Sequence, residues 1–240
     1  TLYAQWQAKT YDVLYNANGG INAPVAQIKT HDVTLNLSEQ IPTKEGYDFL
    51  YWNDKLDGTG ATYYPGDTYT DNIAITLYAQ WQAKTYDVLY NANGGINAPV
   101  AQIKTHDVTL NLSEQIPIKT GYDFLYWNDK LDGTGVTYYP GDTYTHNIAI
   151  ILYAQWEVAE FQITLDRQGG TGGTEIVLVE YGQPMPSATK PVRIGYNFQG
   201  YYEYQGGGGI QFYTSNMNSA TAYNWLNDRT IYAYWTPDSI

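Results

Sequence analysis

The chain contains no cysteine. No disulfide therefore staples it, and neither a thiolate metal site nor a thiol nucleophile is available. Basic residues are scarce: 12 Lys and Arg stand against 24 Asp and Glu, for a formal net charge of −12. A surface this acidic repels nucleic-acid phosphates and anionic lipid, which argues against nucleic acid as a partner and against direct membrane insertion. No run of about 18 apolar residues occurs, which excludes a membrane-spanning helix. The opening Thr1-Leu2-Tyr3 lacks the basic and apolar stretches of a secretory leader, and a mature secreted fragment begins in the same way. Phenylalanine is rare as well, with 5 residues.

In its place stand 26 tyrosines, together with 23 glycines and 10 prolines among 240 residues. Tyrosine suits half-buried strand faces, where the ring packs and the hydroxyl reaches water. Glycine and proline punctuate, so the composition predicts short strands and turns and few helices.

Self-similarity sets the organisation. Leu-Tyr-Ala-Gln-Trp occurs at Leu2–Trp6, Leu77–Trp81 and Leu152–Trp156, and Ile231–Trp235 is a diverged fourth occurrence. The stretches from Leu2 to Thr76 and from Leu77 to Ile151 differ only at Thr43/Ile118, Glu45/Thr120, Ala61/Val136, Asp71/His146 and Thr76/Ile151. Cores tolerate many apolar exchanges, so identity at this level reflects recent duplication and not a demand of folding. The expected domains are 10–81, 85–156 and a diverged 160–235. They are preceded at 1–9 by the closing strand and linker of a truncated upstream repeat, and followed by a tail at 236–240. That stub predicts a natural protein that continues upstream. The gaps Gln82–Thr85 and Glu157–Glu160 hold no glycine or proline, which predicts a semi-rigid series. Each near-identical closing strand fits either neighbour, which predicts occasional domain-swapped dimers.

Within a repeat, Tyr11, Val13 and Tyr15 alternate on one face of a half-buried strand. Asn18-Gly19-Gly20 supplies a tight turn. Extended segments are expected over 25–29 and over 32–37, the latter with Val33, Leu35 and Leu37 on one face. Tyr47–Trp52 forms a strand with Tyr47, Phe49 and Tyr51 opposite Leu50 and Trp52. Residues 54–60 form a hairpin loop, Pro65-Gly66-Asp67 turns the chain, and 67–72 has room for one helical turn. A unit this small buries little surface, so large aromatics must supply the core. The expected core is Tyr47, Phe49, Trp52 and Trp81, with Tyr122, Phe124, Trp127 and Trp156, and Tyr196, Phe198 and Trp235 in the third repeat.

On these residues the chain resembles the Listeria–Bacteroides repeat, also called the internalin B-type repeat. The matching pieces are the strand ending in Asn18-Gly19-Gly20, the block from Gly46 to Trp52, the Asp57–Gly60 loop, Tyr64–Asp67 and the closing Thr76–Trp81. All of them recur in the second copy. The third keeps Gly169-Gly170, the segment from Gly195 to Tyr201, and Thr230–Trp235. The family usually carries Gly-Trp after its Gly-Tyr-x-Phe element, where this chain has Tyr51-Trp52 and Gly200-Tyr201. The resemblance implies an α+β, mostly β, β-grasp-like module, three of them in an elongated array on a secreted or wall-anchored bacterial protein. It implies no catalysis and no cofactor, and roles as spacer, in adhesion and in partner binding.

The chemical candidates are few. Asp54 and Asp57, with Asp129 and Asp132, have the chemistry of an acid–base pair. The third repeat replaces that loop with Tyr204-Gln-Gly-Gly-Gly-Gly209, so a solvated turn is expected. Asn53-Asp-Lys-Leu-Asp-Gly58 lacks the third-position ligand and the twelfth-position Glu of a calcium loop. His31, His106 and His146 read as surface histidines without the three or four converging ligands that zinc needs. Tyr63, Tyr64 and Tyr69, with Tyr138, Tyr139 and Tyr144, are the candidate contact residues for a glycan or a host or surface protein. Their bland alternative is cross-strand packing. Acidic residues outnumber basic ones by nine to three, seven to three and six to four in the successive repeats. This charge favours solubility and mutual repulsion of neighbours.

Overall fold

The computed structural model describes residues 1–238 and is nearly all β. The first repeat contains β1 (Thr10–Asn16), β2 (Gln27–Thr30), β3 (Leu35–Asn36), β4 (Tyr47–Asn53), β5 (Thr62–Tyr63), β6 (Thr68–Tyr69) and β7 (Ile75–Ala83). Its five-stranded sheet has the order β2-β1-β7-β4-β5, and β3 pairs with β6 in a separate two-stranded ribbon. The first and last strands of the repeat lie parallel at the centre, with Val13 opposite Ile75, and the remaining pairs are antiparallel. A parallel pair needs a long crossover, which the intervening strands provide.

The second repeat has β8 (Thr85–Asn91), β9 (Gln102–Thr105), β10 (Leu110–Asn111), β11 (Tyr122–Asn128), β12 (Thr137–Tyr138), β13 (Thr143–Tyr144) and β14 (Ile150–Val158). Its sheet order is β12-β11-β14-β8-β9, with a β10-β13 ribbon. The third has β15 (Glu160–Asp166), β16 (Ile176–Glu180), β17 (Tyr196–Tyr204), β18 (Gly208–Thr214) and β19 (Arg229–Pro237), in the order β16-β15-β19-β17-β18. A three-residue 3-10 turn, Gln205–Gly207, joins β17 to β18. By packing the chain divides into two units. One comprises Thr1–Val88, Ala101–Asn111 and Thr143–Ile150, and the other Leu89–Val100, Leu112–Asp142 and the described residues from Ile151 on.

In the first unit the core of the first repeat consists of Val13, Leu37, Trp52, Tyr69, Leu77 and Ala79, with Phe49, Trp81, Tyr15 and Tyr63 packed around it. Tyr15 meets Trp52 edge-on at 5.0 Å, and Phe49 lies 5.2 Å from Trp52 and 5.8 Å from Trp81. Such edge contacts add about 0.5–1.5 kcal/mol each beyond burial. In the second unit Trp127 makes the same contacts with Tyr90 and Phe124. The third repeat buries 14 residues, among them Met185, Phe198, Phe212, Tyr213 and Trp235.

Several expectations are corrected. Strict alternation puts Phe49 and Trp52 on opposite faces, yet both reach one core. A bulge between Phe49 and Tyr51, repeated between Phe124 and Tyr126 and between Phe198 and Gly200, inserts the extra residue that turns them to the same side. Of the expected core aromatics, Tyr122 and Tyr196 remain 37% and 38% exposed. Their rings serve as platforms for the cations Lys119, at 4.0 Å, and Arg193, at 3.9 Å, and this keeps one face toward solvent. No helical turn forms over 67–72, because Thr68–Tyr69 pairs with β3. Val33 is exposed because Asp32 takes a left-handed turn that breaks the extended segment. Residues 1–9 lie outside any sheet, and Leu2, Tyr3 and Trp6 are exposed. The expected tail overlaps β19 at Thr236 and Pro237, and its last two positions, 239–240, lie outside the described residues.

Candidate functional site

The most strongly marked motif, Asn-Gly-Gly followed by the closing tryptophan, is a structural clip. Asn18 and Gly19 both have positive φ, and Asn18 Nδ2 donates to Ala79 O at 2.9 Å. The Trp81 indole donates to Ala17 O at 3.0 Å, and a Cβ on Gly20 would sit 2.6 Å from the Trp81 ring. Trp156 and Trp235 make the equivalent bonds to Ala92 O and Arg167 O. The glycine is required because the closing tryptophan presses on the backbone of the turn.

The loop carboxylates are likewise occupied with holding turns. Asn53 is buried, and its Oδ1 accepts from Lys55 N and Gly60 N at 2.9 and 3.0 Å. Asp54 Oδ1 accepts from Ala61 N at 2.7 Å. Asp57 accepts from Thr59 N and Thr59 Oγ1, and these bonds hold its carboxyl below the usual range. Asp132 is lowered in the same way by Thr134. A carboxylate committed to backbone donors and kept ionised is a poor general acid.

The six candidate tyrosines do not form one platform. Tyr69 and Tyr144 are 1% exposed, and their hydroxyls donate to Ile73 O and Ile148 O at 3.0 Å. Tyr63 is half-buried against the core, 6.1 Å from Tyr69, and Tyr138 is half-buried. Only Tyr64 and Tyr139 of the six present their rings to solvent, at 55% and 56% exposure. Each leans edge-on against Tyr51 or Tyr126 at 6.3 Å. The alternation around Pro65-Gly66-Asp67 turns Tyr69 inward, because Thr68–Tyr69 is a strand.

The histidines separate by position. His31 is exposed, with Nδ1 on Tyr11 Oη at 2.9 Å. His106 occupies the equivalent turn of the second repeat, but its side chain is only 11% exposed. Its ring packs edge-on against Tyr47 at 5.5 Å, and a Cβ on Gly46 would overlap it. The backbone is continuous there: Lys84 N donates to Gly46 O, and His106 N to Lys84 O. In the second unit Tyr181 stands where His106 does and fills the space over Gly121, with the same two bonds through Ala159. His106 is therefore a joint residue and not a surface histidine. A glycine with positive φ that ends the 41–46 turn was the available signal, but its partner lies 60 residues away in the next repeat.

Sequence reading also missed two buried cations. Lys29 and Lys104 are 0% and 1% exposed, and each ammonium is bonded to a neighbouring carbonyl and to an asparagine side chain. Among the described residues no three His, Asp or Glu side chains converge as metal ligands. Among the described residues no helix is long and apolar enough to cross a membrane, which says nothing of strands.

Comparison with known proteins fits this architecture. Over 239 residues the chain is 31% identical to a protein of Evansella cellulosilytica named "Putative Gly-rich membrane protein", covering 98% of the chain and 26% of that protein. It is 36% identical over 140 residues to Internalin H of Listeria monocytogenes, covering 53% of the chain and 23% of that protein. The chain thus spans about a quarter of the length of these curated relatives. The model of the Listeria-Bacteroides repeat domain matches residues 11–80, 86–155 and 161–234, nearly the whole length of the three sheet units, and the chain belongs to that family.

Proposed function

We propose that this chain is a non-catalytic tandem-repeat segment of a secreted or wall-anchored bacterial surface protein, serving as a spacer or stalk and in adhesion or partner binding. The observation that carries this reading is the joint. One residue, Lys84 or Ala159, separates the last strand of a repeat from the first strand of the next. A side chain of the following repeat is seated on a glycine of the preceding one. On this reading the repeats are strung end to end in an elongated array, and such a series gains reach or avidity with each copy. The parallel first and last strands at the sheet centre support a β-grasp-like module, here without an α-helix among the described residues. The names of the relatives, a membrane protein and an internalin, support an extracellular, cell-surface location.

Small-angle scattering of the chain tests the spacer role. An elongated profile with a maximum dimension near the sum of three modules is expected, and a compact globule sinks it. The second reading is glycan or host-protein binding, and exposed Tyr64 and Tyr139 favour it. A glycan array and pull-down comparing wild type with Tyr64→Ala/Tyr139→Ala should show loss of binding in the variant. Equal signals from both would remove the tyrosines from the role.

A further inference from the structure

The buried lysines do not sit in a generic polar network. Lys29 Nζ lies 2.7 Å from Thr30 O and 3.0 Å from Asn72 Oδ1. The same Oδ1 accepts the backbone N–H of Asp32 at 2.9 Å, and Asn72 Nδ2 donates to Asp32 Oδ1 at 2.8 Å. His31 Nε2 faces the second Asp32 oxygen at 3.5 Å. The second repeat reproduces the set. Lys104 Nζ is 2.9 Å from Asn147 Oδ1, Asp107 N is 3.0 Å from that oxygen, and Asn147 Nδ2 is 2.8 Å from Asp107 Oδ1.

These atoms have the parts of an acyl transfer. A lysine Nζ out of bulk water donates to the carboxamide oxygen, and once it has given up a proton it is a nucleophile beside that carboxamide. A backbone N–H is aimed at the oxygen that gathers charge when the amine adds to the carbon. A carboxylate is bonded to the nitrogen that must leave. We propose that Lys29 and Asn72, and likewise Lys104 and Asn147, join in an intramolecular amide cross-link, with Asp32 and Asp107 as the proton-transfer groups. Nζ adds to Cγ of the asparagine, the Nζ–Cγ bond forms, and the Cγ–Nδ2 bond breaks. Two protons leave Nζ and end on the departing nitrogen, which is released as ammonium. Asp32, bonded to Nδ2, delivers one proton to the departing nitrogen. No oxidant or co-reactant is consumed. The Asp32 side chain is 79% exposed, so the ammonium has a path to solvent.

Two further observations favour this over a structural role for the lysine. Asp32 and Asp107 hold left-handed backbone angles, φ 58° and 56°, which glycine adopts without strain. The third repeat has Gly182 there, φ 78°, so an aspartate at this turn is retained at a backbone cost. The third repeat also exchanges the whole set, with Val179 paired to Phe161 as Lys29 is to Tyr11, and Leu226 in place of Asn72. The repeats with the set bury thin cores without cysteine, and a covalent cross-link is one of the ways in which small scaffolds gain stability.

The test is the intact mass of the whole chain after folding and incubation at neutral pH. It should lie below the sequence mass by two molecules of ammonia, and a tryptic digest should contain a branched peptide joining the segments around Lys29 and Asn72. Asn72→Ala should recover one ammonia of mass. Asp32→Gly, which suits the φ at that turn and preserves the fold, should slow formation by at least about 100-fold. A folded chain that keeps its sequence mass over days overturns the cross-link. Wild-type rates in Asp32→Gly overturn the role of the carboxylate.

Discussion

The first and third repeats share one sheet order but are held together differently. The third buries 14 residues in its core, including both methionines and a Phe212–Tyr223–Trp225 aromatic cluster. The first buries six and places a lysine ammonium where the third has Val179. Burying an ammonium is costly unless every proton finds a partner, so the first repeat carries a polar network at a position its relative fills with packing. The difference shows that the fold is specified by the turns and the closing tryptophan, which all repeats share. The means of stabilising the sheet edge is free to vary.

The largest expected effect breaks this comparison directly. Carrying the third repeat's residues into the first (Lys29→Val, Asp32→Gly and Asn72→Leu together) removes the cross-link across a separation of 43 residues. Loop-closure entropy then lowers the stability of that repeat by about 4 kcal/mol. Denaturant titration followed by tryptophan fluorescence reads this. An unchanged or raised midpoint would mean the lysine network had been only a buried polar cost.

A smaller effect sharpens the comparison at the joints. Gly46 and Gly195 occupy equivalent turns with φ 72° and 78°, but His106 covers the first, and among the described residues no atom lies within 4 Å of where a Cβ on the second would sit. Gly195→Ala should cost about 1–2 kcal/mol through backbone strain alone. Gly46→Ala adds the displacement of His106, about 1–3 kcal/mol more. Equal losses in thermal unfolding would show that the His106 contact contributes nothing.

The smallest effect concerns one atom. Tyr201 stands where the other repeats have Trp52 and Trp127, and its hydroxyl is buried with no partner among the described residues. Burial pushes that hydroxyl's pKa up to about 12. Tyr201→Phe removes an unpaired polar group without opening a cavity, so the third repeat should gain up to about 1 kcal/mol. A loss of more than that in calorimetry would reveal a bond that the hydroxyl makes through water.

Much of the fold could be read from the sequence. The 75-residue recurrence located the repeats, and Asn-Gly-Gly with a downstream Trp located the turn and the strand that closes on it. The candidate site was less legible, for identifiable reasons. In β2 the polarity is inverted: Ile28 is 55% exposed while Lys29 is buried. Alternation cannot reveal this until the pairing of Tyr11 with Lys29 fixes which face is inward. Asn72 lies 43 residues from Lys29, and no local pattern links the two. The bulge after Phe49 reverses the phase of a strand that otherwise alternates cleanly, and it too depends on the neighbouring strand.

The stretch from Thr1 to Thr10 has the same ten residues as that from Thr76 to Thr85. At Leu77 the leucine is fully buried in a central strand, whereas at Leu2 it is fully exposed and outside any sheet. The sequence by itself determined that this decapeptide can be a strand, since its alternation and its tryptophan suit one. It also determined the spacing and the turns. Only the tertiary structure decided where the strand forms, because a strand's hydrogen bonds and buried face are completed by its neighbours. Within β7 the decapeptide has β1 on one side and β4 on the other, and no described strand pairs with residues 1–9.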